Sequence, residues 1–507
     1  MVMTFRSKTP QVDLNTHPIQ QGALQLVPES IARKYIVIPL VVADGALKVA
    51  MADPGDISTI QVLEARARMR VEPMLASSAD IRSCIDRNYK KYAEIEQQFE
   101  PVESGAAAVR EQEKSLAEAV AEAPAVRALD MLISEAVKHR ASDIHIEPQE
   151  DALRVRYRID GVLQDTVSLP LSAHGPLISR IKILASMNIA DHRPQDGQFS
   201  LIVQNREVNI RVVTIQSMYG QMSVLRILDK SFGALELPET GMLPGPLGKY
   251  QSMLRSPFGM ILLSGPTGSG KTTTLYASVN GMDHKTRNVI TVEDPVEYRL
   301  RGINQIEVNP KGGVTFATGL RTILRLDPDV ILVGEIRDGE TAEIATQAAL
   351  TGHLVLSSVH ANDTVGSLFR LLDLGVGAFY LSSAVVGVVA QRMVRKVCPH
   401  CRHFTQAPAE AQLAYNKELG EDRTEFSYGK GCPACAGTGF LGRTAVFEIL
   451  AVSEEIRRLL LTGASAAQIR ARAREEGMVS MWRDGMLKAK TGITTPCEVV
   501  RNVYCIE

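Results

Sequence analysis

Two spacings of apolar residues alternate along this chain and divide it into blocks. Between residues 27 and 89, the runs 35–42, 47–51 and 71–75 have the length and composition of strands, whereas 57–69 and 79–89 repeat apolar residues at helical spacing. Asp44-Gly45 is a turn signal, and Met51-Ala52-Asp53-Pro54 reads as a strand end and turn. The block is a small α/β module. Residues 91–122 then shift to Ala, Glu, Gln and Ser with few large apolar side chains. They read as a partly helical tether, with a packed, solvent-facing helix as the alternative. A second α/β block opens with an amphipathic helix that puts Val126, Leu129, Ile133, Ala136 and Val137 on one face. Strand-like runs follow at 143–147, 153–158 and 162–167, the last two joined by the turn Ile159-Asp160-Gly161. A helix at 177–187 and strands at 208–214 and 222–228 complete it, and no internal repeat is found. The predicted domains are 1–92, a linker 93–122, 123–240 and 241–507, with an insertion at 394–445 inside the last.

In the third domain several short runs are apolar throughout and end in polar clusters. The run 260–263 leads into Gly265-Pro266-Thr267-Gly268-Ser269-Gly270-Lys271-Thr272, followed by Thr273 and a helix-compatible stretch. This is a complete phosphate-binding loop in the strand–loop–helix setting it requires. Glycines let the backbone turn so that N–H groups face phosphate oxygens. Lys271 supplies charge to the β- and γ-phosphates, and Thr272 a hydroxyl to Mg²⁺. The nine residues 265–273 are therefore candidates for holding ATP with Mg²⁺.

Cleavage needs carboxylates as well. The run 289–292 leads into Glu293-Asp294-Pro295-Val296-Glu297, and 330–333 leads into Gly334-Glu335-Ile336-Arg337-Asp338. Open α/β sheets place their chemistry at the carboxyl ends of strands, which is where both clusters fall. Glu335 is the candidate to order Mg²⁺ or its water, and Glu297 or Glu293 to activate water; the three acids are interchangeable at this level. The run after His353 ends in His360, which either senses the γ-phosphate or is a strand-end histidine satisfied by backbone.

Composition narrows the class. The 507 residues carry 56 Lys plus Arg against 57 Asp plus Glu, a net charge of -1, with 45% hydrophobic and 22% charged residues. That is a globular protein without the positive excess that grips nucleic acid through bulk charge. Residues 1–10 lack the apolar core of a signal peptide, and the weakly polar stretch 378–390 is too short to span a bilayer. A cytosolic location is predicted. Of seven cysteines, Cys398, Cys401, Cys432 and Cys435 form two C-x-x-C pairs, with 402–431 between them. The spacing is longer than in the usual ribbon, yet four thiolates from paired knuckles in a cytosolic chain point to a closed structural Zn²⁺ site rather than disulfides. Cys84, Cys497 and Cys505 are isolated.

The stretch 324–338, Leu-Arg-Leu-Asp-Pro-Asp-Val-Ile-Leu-Val-Gly-Glu-Ile-Arg-Asp, resembles the signature of the type II secretion and type IV pilus assembly ATPases. The phosphate loop, Glu293–Glu297 and His353–Asp363 match that family's phosphate loop, aspartate box and histidine box, in order. Residues 140–148 and Pro194-Gln195-Asp196-Gly197 resemble its domain ahead of the motor. The resemblance implies a RecA-like P-loop NTPase domain, preceded by a PAS-like α/β domain and a small docking domain like the N-terminal domain of the secretion E proteins. It implies a homohexamer on the cytoplasmic face of the inner membrane, driving a membrane platform protein. The docking domain would meet the cytoplasmic domain of a membrane-recruiting protein, with an acidic phospholipid surface as a further contact. Phosphate-sensing arginines are sought among Arg154, Arg156, Arg158, Arg211, Arg226, Arg321, Arg325 and Arg337, each with a structural ion pair as the alternative. The tetracysteine insertion marks assembly or secretion members rather than retraction ones. Some relatives bind cyclic di-GMP through Arg- and Leu-containing motifs that are not found before Tyr89, and no such ligand is predicted. Family members often carry Pro within 214–216 and Gly-Glu where this chain has Gly220-Gln221, which touches the second domain's contacts and not the motor boxes. The rival class is a nucleic-acid translocase or zinc-ribbon binding NTPase. The neutral charge and the lack of a basic, aromatic-rich tract argue against it, and no nucleic-acid partner is expected.

Overall fold

The computed structural model describes residues 12, 14, 19–27, 29–43, 45–67, 69–88, 113–228 and 235–503. It divides into two packed units. One comprises Met1–Asp229 with Cys398–Arg402 and Gly429–Leu441; the other comprises Lys230–Val397, His403–Tyr428 and Gly442–Glu507.

In the first unit, β1 (Val37–Ala43), β2 (Ala46–Met51) and β3 (Arg70–Leu75) form a sheet in that order, β1–β2 antiparallel and β2–β3 parallel. Ile38, Leu40, Leu47, Val49, Leu63 and Ile81 are the centre of its core. Helices Gln21–Leu26 and Glu29–Tyr35 precede it; the hydropathy pattern of the sequence does not single them out. Six further strands form a second, antiparallel sheet: β4 (Ala141–Pro148), β5 (Leu153–Ile159), β6 (Val162–Leu169), β7 (Gln195–Val203), β8 (Arg206–Ser217) and β9 (Gly220–Leu228). Their spatial order is β6-β5-β4-β9-β8-β7. Helices Glu113–Lys138 and His174–Leu184 contribute Leu129, Leu132, Ile133, Leu177 and Ile181 to the core that covers one face, against Ile144, Val155, Ile210 and Leu225. The first helix is described from Glu113, so the Ala- and Glu-rich residues 113–122 of the partly helical tether are continuous with it through Pro124. Strand β7 is a departure from the reading above. Phe199, Leu201 and Val203 meet the core at alternate positions, but Gln195 and Gly197 on the same side and the exposed Ile202 on the other interrupt the apolar–polar alternation. Residues 93–112 of the linker lie outside the described residues.

The second unit is built on β10 (Gly259–Ser264), β11 (Val289–Glu293), β12 (Asn304–Glu307), β13 (Val330–Val333), β14 (Leu354–Val359), β15 (Val385–Val397) and β18 (Phe440–Ala451). Their order is β12-β11-β13-β14-β10-β15-β18, and every pairing from β12 to β15 is parallel. Strands β10, β11, β13 and β14 are buried throughout, as a sheet covered on both faces demands. One cover includes helices Phe316–Ile323, Gly339–Leu350 and Thr364–Asp373 through Leu320, Ala345 and Leu368; the other includes Lys271–Asn280 through Leu275 and Val279. The apolar stretch 378–390 is split between helix Ala378–Ala384 and β15. A two-stranded sheet, β16 (Arg402–Gln406) and β17 (Glu425–Gly429), and helix Ala409–Leu419 lie in the predicted insertion. Among the described residues no helix is long and apolar enough to cross a membrane.

Candidate active site

Strand β10 ends at Ser264, the chain turns through the glycine loop, and helix Lys271–Asn280 leaves with its N-terminus at the loop. Gly265, Gly268 and Gly270 have φ of 145°, 77° and 89°. At Gly265 and Gly270 the space is closed as well: a Cβ would lie 2.4 Å from the Gln391 carbonyl oxygen and 3.1 Å from Gln391 Nε2, respectively. Pro266, Thr267, Gly268 and Thr272 are exposed, Thr273 is half-buried and Ser269 is buried. The Lys271 Nζ donates to the carbonyls of Gly265 at 2.7 Å and Pro266 at 3.2 Å. Burial pulls its pKa below the usual lysine value, and the Glu335 charge opposes that shift.

Glu335 follows β13, and its two oxygens are met by different side chains. Arg337 pairs with Oε1, and His360, just past β14, meets Oε2 at 3.3 Å. The Glu335 pairing raises the Arg337 pKa. The Ser358 hydroxyl donates to the Gly334 carbonyl at 2.8 Å and the Ile336 N–H to the Ser358 carbonyl at 2.9 Å, which ties the two strand ends together. His353, at the other end of β14, instead meets the Ala348 carbonyl through Nδ1 at 3.0 Å.

The first acidic cluster separates into two environments. Glu293 is 3% exposed. Oε2 accepts from Tyr276, and Oε1 accepts from Thr291 at 2.6 Å and Gln305 at 3.1 Å. Both oxygens are thus satisfied inside the protein. Glu297 is half-buried, and its N–H donates to the Tyr276 hydroxyl oxygen at 3.3 Å. Tyr276 therefore links the two acids from the loop helix, and burial beside Glu293 pushes its pKa far above the usual value. Tyr276 and Gln305 were not among the residues singled out in the sequence; a tyrosine at a buried position of the loop helix was the available signal.

A match to the family described as type II/IV secretion system protein spans residues 118–501. The chain belongs to that family. An MshEN domain matches residues 7–94. The type II secretion system protein HxcR of Pseudomonas aeruginosa is 48% identical over 380 residues, 75% of this chain and 77% of that protein. The type IV pilus assembly ATPase PilB of Myxococcus xanthus is 38% identical over 502 residues, 97% of this chain and 88% of that protein. The ATPase DotB of Yersinia pseudotuberculosis shares the fold, with a TM-score of 0.56 at 20% identity over 79% of this chain and 96% of that one. Family membership and the loop geometry together make this secretion-family chain a P-loop ATPase.

The arginines of this ATPase fall into distinct situations. Arg154 and Arg156 are committed, Arg154 to Asp165 at 2.6 and 2.9 Å and Arg156 to Glu147 at 3.0 and 2.8 Å, both bidentate. Arg158 and Arg226 share Asp143 at 3.6 and 3.1 Å. Arg321 pairs with Glu340 at 2.7 Å. Arg211 and Arg325 have no carboxylate partner among the described residues, and Arg211 stands directly across from Arg226 on β9. Gln221, at one of the departures from the family pattern, is buried, and its Nε2 has no partner among the described residues.

The four paired cysteines converge. Their sulfurs all lie within 4.8 Å of one another, with Cys398–Cys432 at 3.8 Å, Cys401–Cys435 at 3.9 Å and Cys432–Cys435 at 3.7 Å. A tetrahedron with ~2.3 Å metal–sulfur bonds has edges of about 3.8 Å, so the cluster has the dimensions of a metal site. Backbone N–H groups of Cys432 and Gly439 donate to Cys435 Sγ at 3.2 and 3.3 Å. Burial pushes the Cys401 thiol up to about 12 and raises Cys398, so thiolates there call for a cation between them.

Proposed function

We propose that this chain is the homohexameric ATPase that drives a type II secretion or type IV pilus assembly machine. It works at the cytoplasmic face of the inner membrane by moving a platform protein, and its N-terminal domain docks on a membrane-recruiting partner. The reading is carried by the meeting of Lys271, Glu335 and His360 at the carboxyl ends of neighbouring strands β10, β13 and β14, within a chain of this family. Lys271 and the loop N–H groups take the phosphates, and Thr272 takes Mg²⁺. Glu335 orders the ion or its water, and His360 passes the state of the γ-phosphate to the strand end. Glu297 is the better choice for activating water, since both oxygens of Glu293 are already bonded; Glu293 holds Tyr276 and through it the Glu297 backbone. Arg211 and Arg325 are the first choices for sensing phosphate, because the other arginines have carboxylate partners. Zn²⁺ in the tetracysteine cluster ties the two knuckles together.

The test is release of inorganic phosphate from Mg-ATP by the assembled protein, with and without the platform protein or acidic phospholipid. Lys271→Ala and Glu335→Ala should each abolish turnover. Full activity in either variant refutes the assignment, and stimulation by DNA or RNA instead would move the protein to the translocase class.

A further inference from the structure

Strand β15 runs alongside β10 with Ala390 level with Ser264, so the residues after Ala390 pass beside the phosphate loop itself. Gln391 is the first of them, and it is 1% exposed. Its Nε2 donates to the carbonyl of Ser269, in the loop, at 2.7 Å. A carbonyl only accepts, so this contact fixes which end of the amide faces the loop. The other end, Oε1, is buried with no partner among the described residues. A methionine would fill the same volume without leaving a buried acceptor, so packing alone does not call for an amide here.

The contact controls a specific donor. In a trans peptide the C=O and the following N–H point in opposite directions. The Ser269 carbonyl shares its plane with the Gly270 N–H. Drawing that carbonyl onto Gln391 turns the N–H to the side away from the Gln391 amide. Gly270 precedes the first residue of helix Lys271–Asn280, so its N–H has no acceptor within the helix. It stands at φ 89°, with Gln391 Nε2 and Met393 Sδ only 3.1 and 3.3 Å from where a Cβ would be.

We infer that Gln391 is a positioning residue for nucleotide: by holding the Ser269 carbonyl it keeps the Gly270 N–H aimed at a phosphate oxygen. The inference rests on the loop being the ATP site. Its test uses the full-length chain, binding of Mg-ATPγS by calorimetry, and two variants of nearly unchanged size. Gln391→Met should bind about tenfold to hundredfold more weakly, the worth of one hydrogen bond to a charged group. KM for ATP should rise by a similar factor, with kcat changed less. Gln391→Glu adds a readout that a packing role does not move. Its protonated carboxyl can donate to the Ser269 carbonyl, whereas the ionised form repels it. Affinity relative to wild type should therefore recover as pH is lowered from about 8 to about 6. Lys271, Glu335 and His360 are present in both proteins, so the ratio isolates residue 391. Wild-type affinity in Gln391→Met, or a ratio for Gln391→Glu that ignores pH, overturns the inference while leaving the ATP site in place. Should Gln391→Met fail to fold, the Gln391→Glu ratio alone decides. A wild-type chain that binds no nucleotide brings down the reading of the loop, and this inference with it.

Discussion

Lys488→Met offers a demanding test of how the ATPase domain is held together. Lys488 and Asp484 lie one turn apart on helix Met481–Lys490, with side chains only 1% and 0% exposed. Nζ donates to Asp484 Oδ2 at 2.7 Å and to the Ala445 carbonyl at 2.5 Å, and the same Oδ2 accepts the Phe447 N–H at 3.0 Å. The pair therefore fastens the helix to β18, whose Phe447 lies in the core shared with the phosphate-loop helix. Methionine keeps an unbranched apolar chain of similar length but leaves the carboxylate with one backbone donor. Removing one member of a buried pair costs about 3–5 kcal/mol. For a domain of this size that is a fall in Tm of roughly 6–20 °C. The pH dependence is diagnostic. Burial already raises the Asp484 pKa and lowers that of Lys488. Without the ammonium, the folded state prefers a protonated Asp484 more strongly. The penalty is then absent below the ordinary carboxyl pKa of about 3.9, and it grows as pH rises toward the elevated folded value. Asp484→Asn with Lys488→Met removes both charges, keeps an acceptor for Phe447, and should restore most of the loss. Thermal unfolding by circular dichroism across pH reads all of this. A single variant that melts within about 2 °C of wild type at neutral pH, or whose deficit is the same at every pH, refutes the reasoning.

Three further outcomes follow from the site. Glu335→Gln removes the charge that Arg337 and His360 share, and should lower kcat by about a hundredfold or more while ATP still binds, as measured by phosphate release beside calorimetry. Tyr276→Phe takes a donor from the buried Glu293 and an acceptor from the Glu297 N–H; stability should fall by about 1–3 kcal/mol, with a severalfold loss of kcat, by urea unfolding and steady-state turnover. Purified chain should carry about one zinc per subunit, released by a thiol-reactive reagent and lost in Cys401→Ser; a metal-free preparation with unchanged Tm would remove zinc from the account.

How much of this the sequence discloses depends on where the information is stored. The phosphate loop is local: glycine spacing, lysine and flanking strand lie within one short stretch, and the fold places Gly265, Gly268 and Gly270 at positive φ. The strands of the parallel sheet are local too, because burial on both faces leaves runs such as 330–333 with no polar residue. Strand β7 is marked over only part of its length, since Phe199, Leu201 and Val203 line its core side while Gln195, Gly197 and the exposed Ile202 break the alternation. The roles of the acids are not local at all. Glu293 and Glu297 are equivalent on paper, and what separates them is Tyr276 arriving from another helix and Gln305 from the neighbouring strand. The same holds for Gln391, an ordinary polar residue in a strand until β15 is laid beside β10 and its amide falls beneath Ser269. The arginines make the point in reverse. The sequence offers eight equivalent guanidinium groups, and tertiary pairing neutralises most of them. Arg154 and Arg156 are each held by a carboxylate on an adjacent strand, whereas Arg211 has no carboxylate partner among the described residues and lies in register between Arg226 on β9 and Gln198 on β7. Like charges set opposite each other on a sheet are unfavourable, and of these two Asp143 offsets only that of Arg226, at 3.1 Å. The missing carboxylate is what keeps Arg211 among the proposed phosphate-sensing candidates.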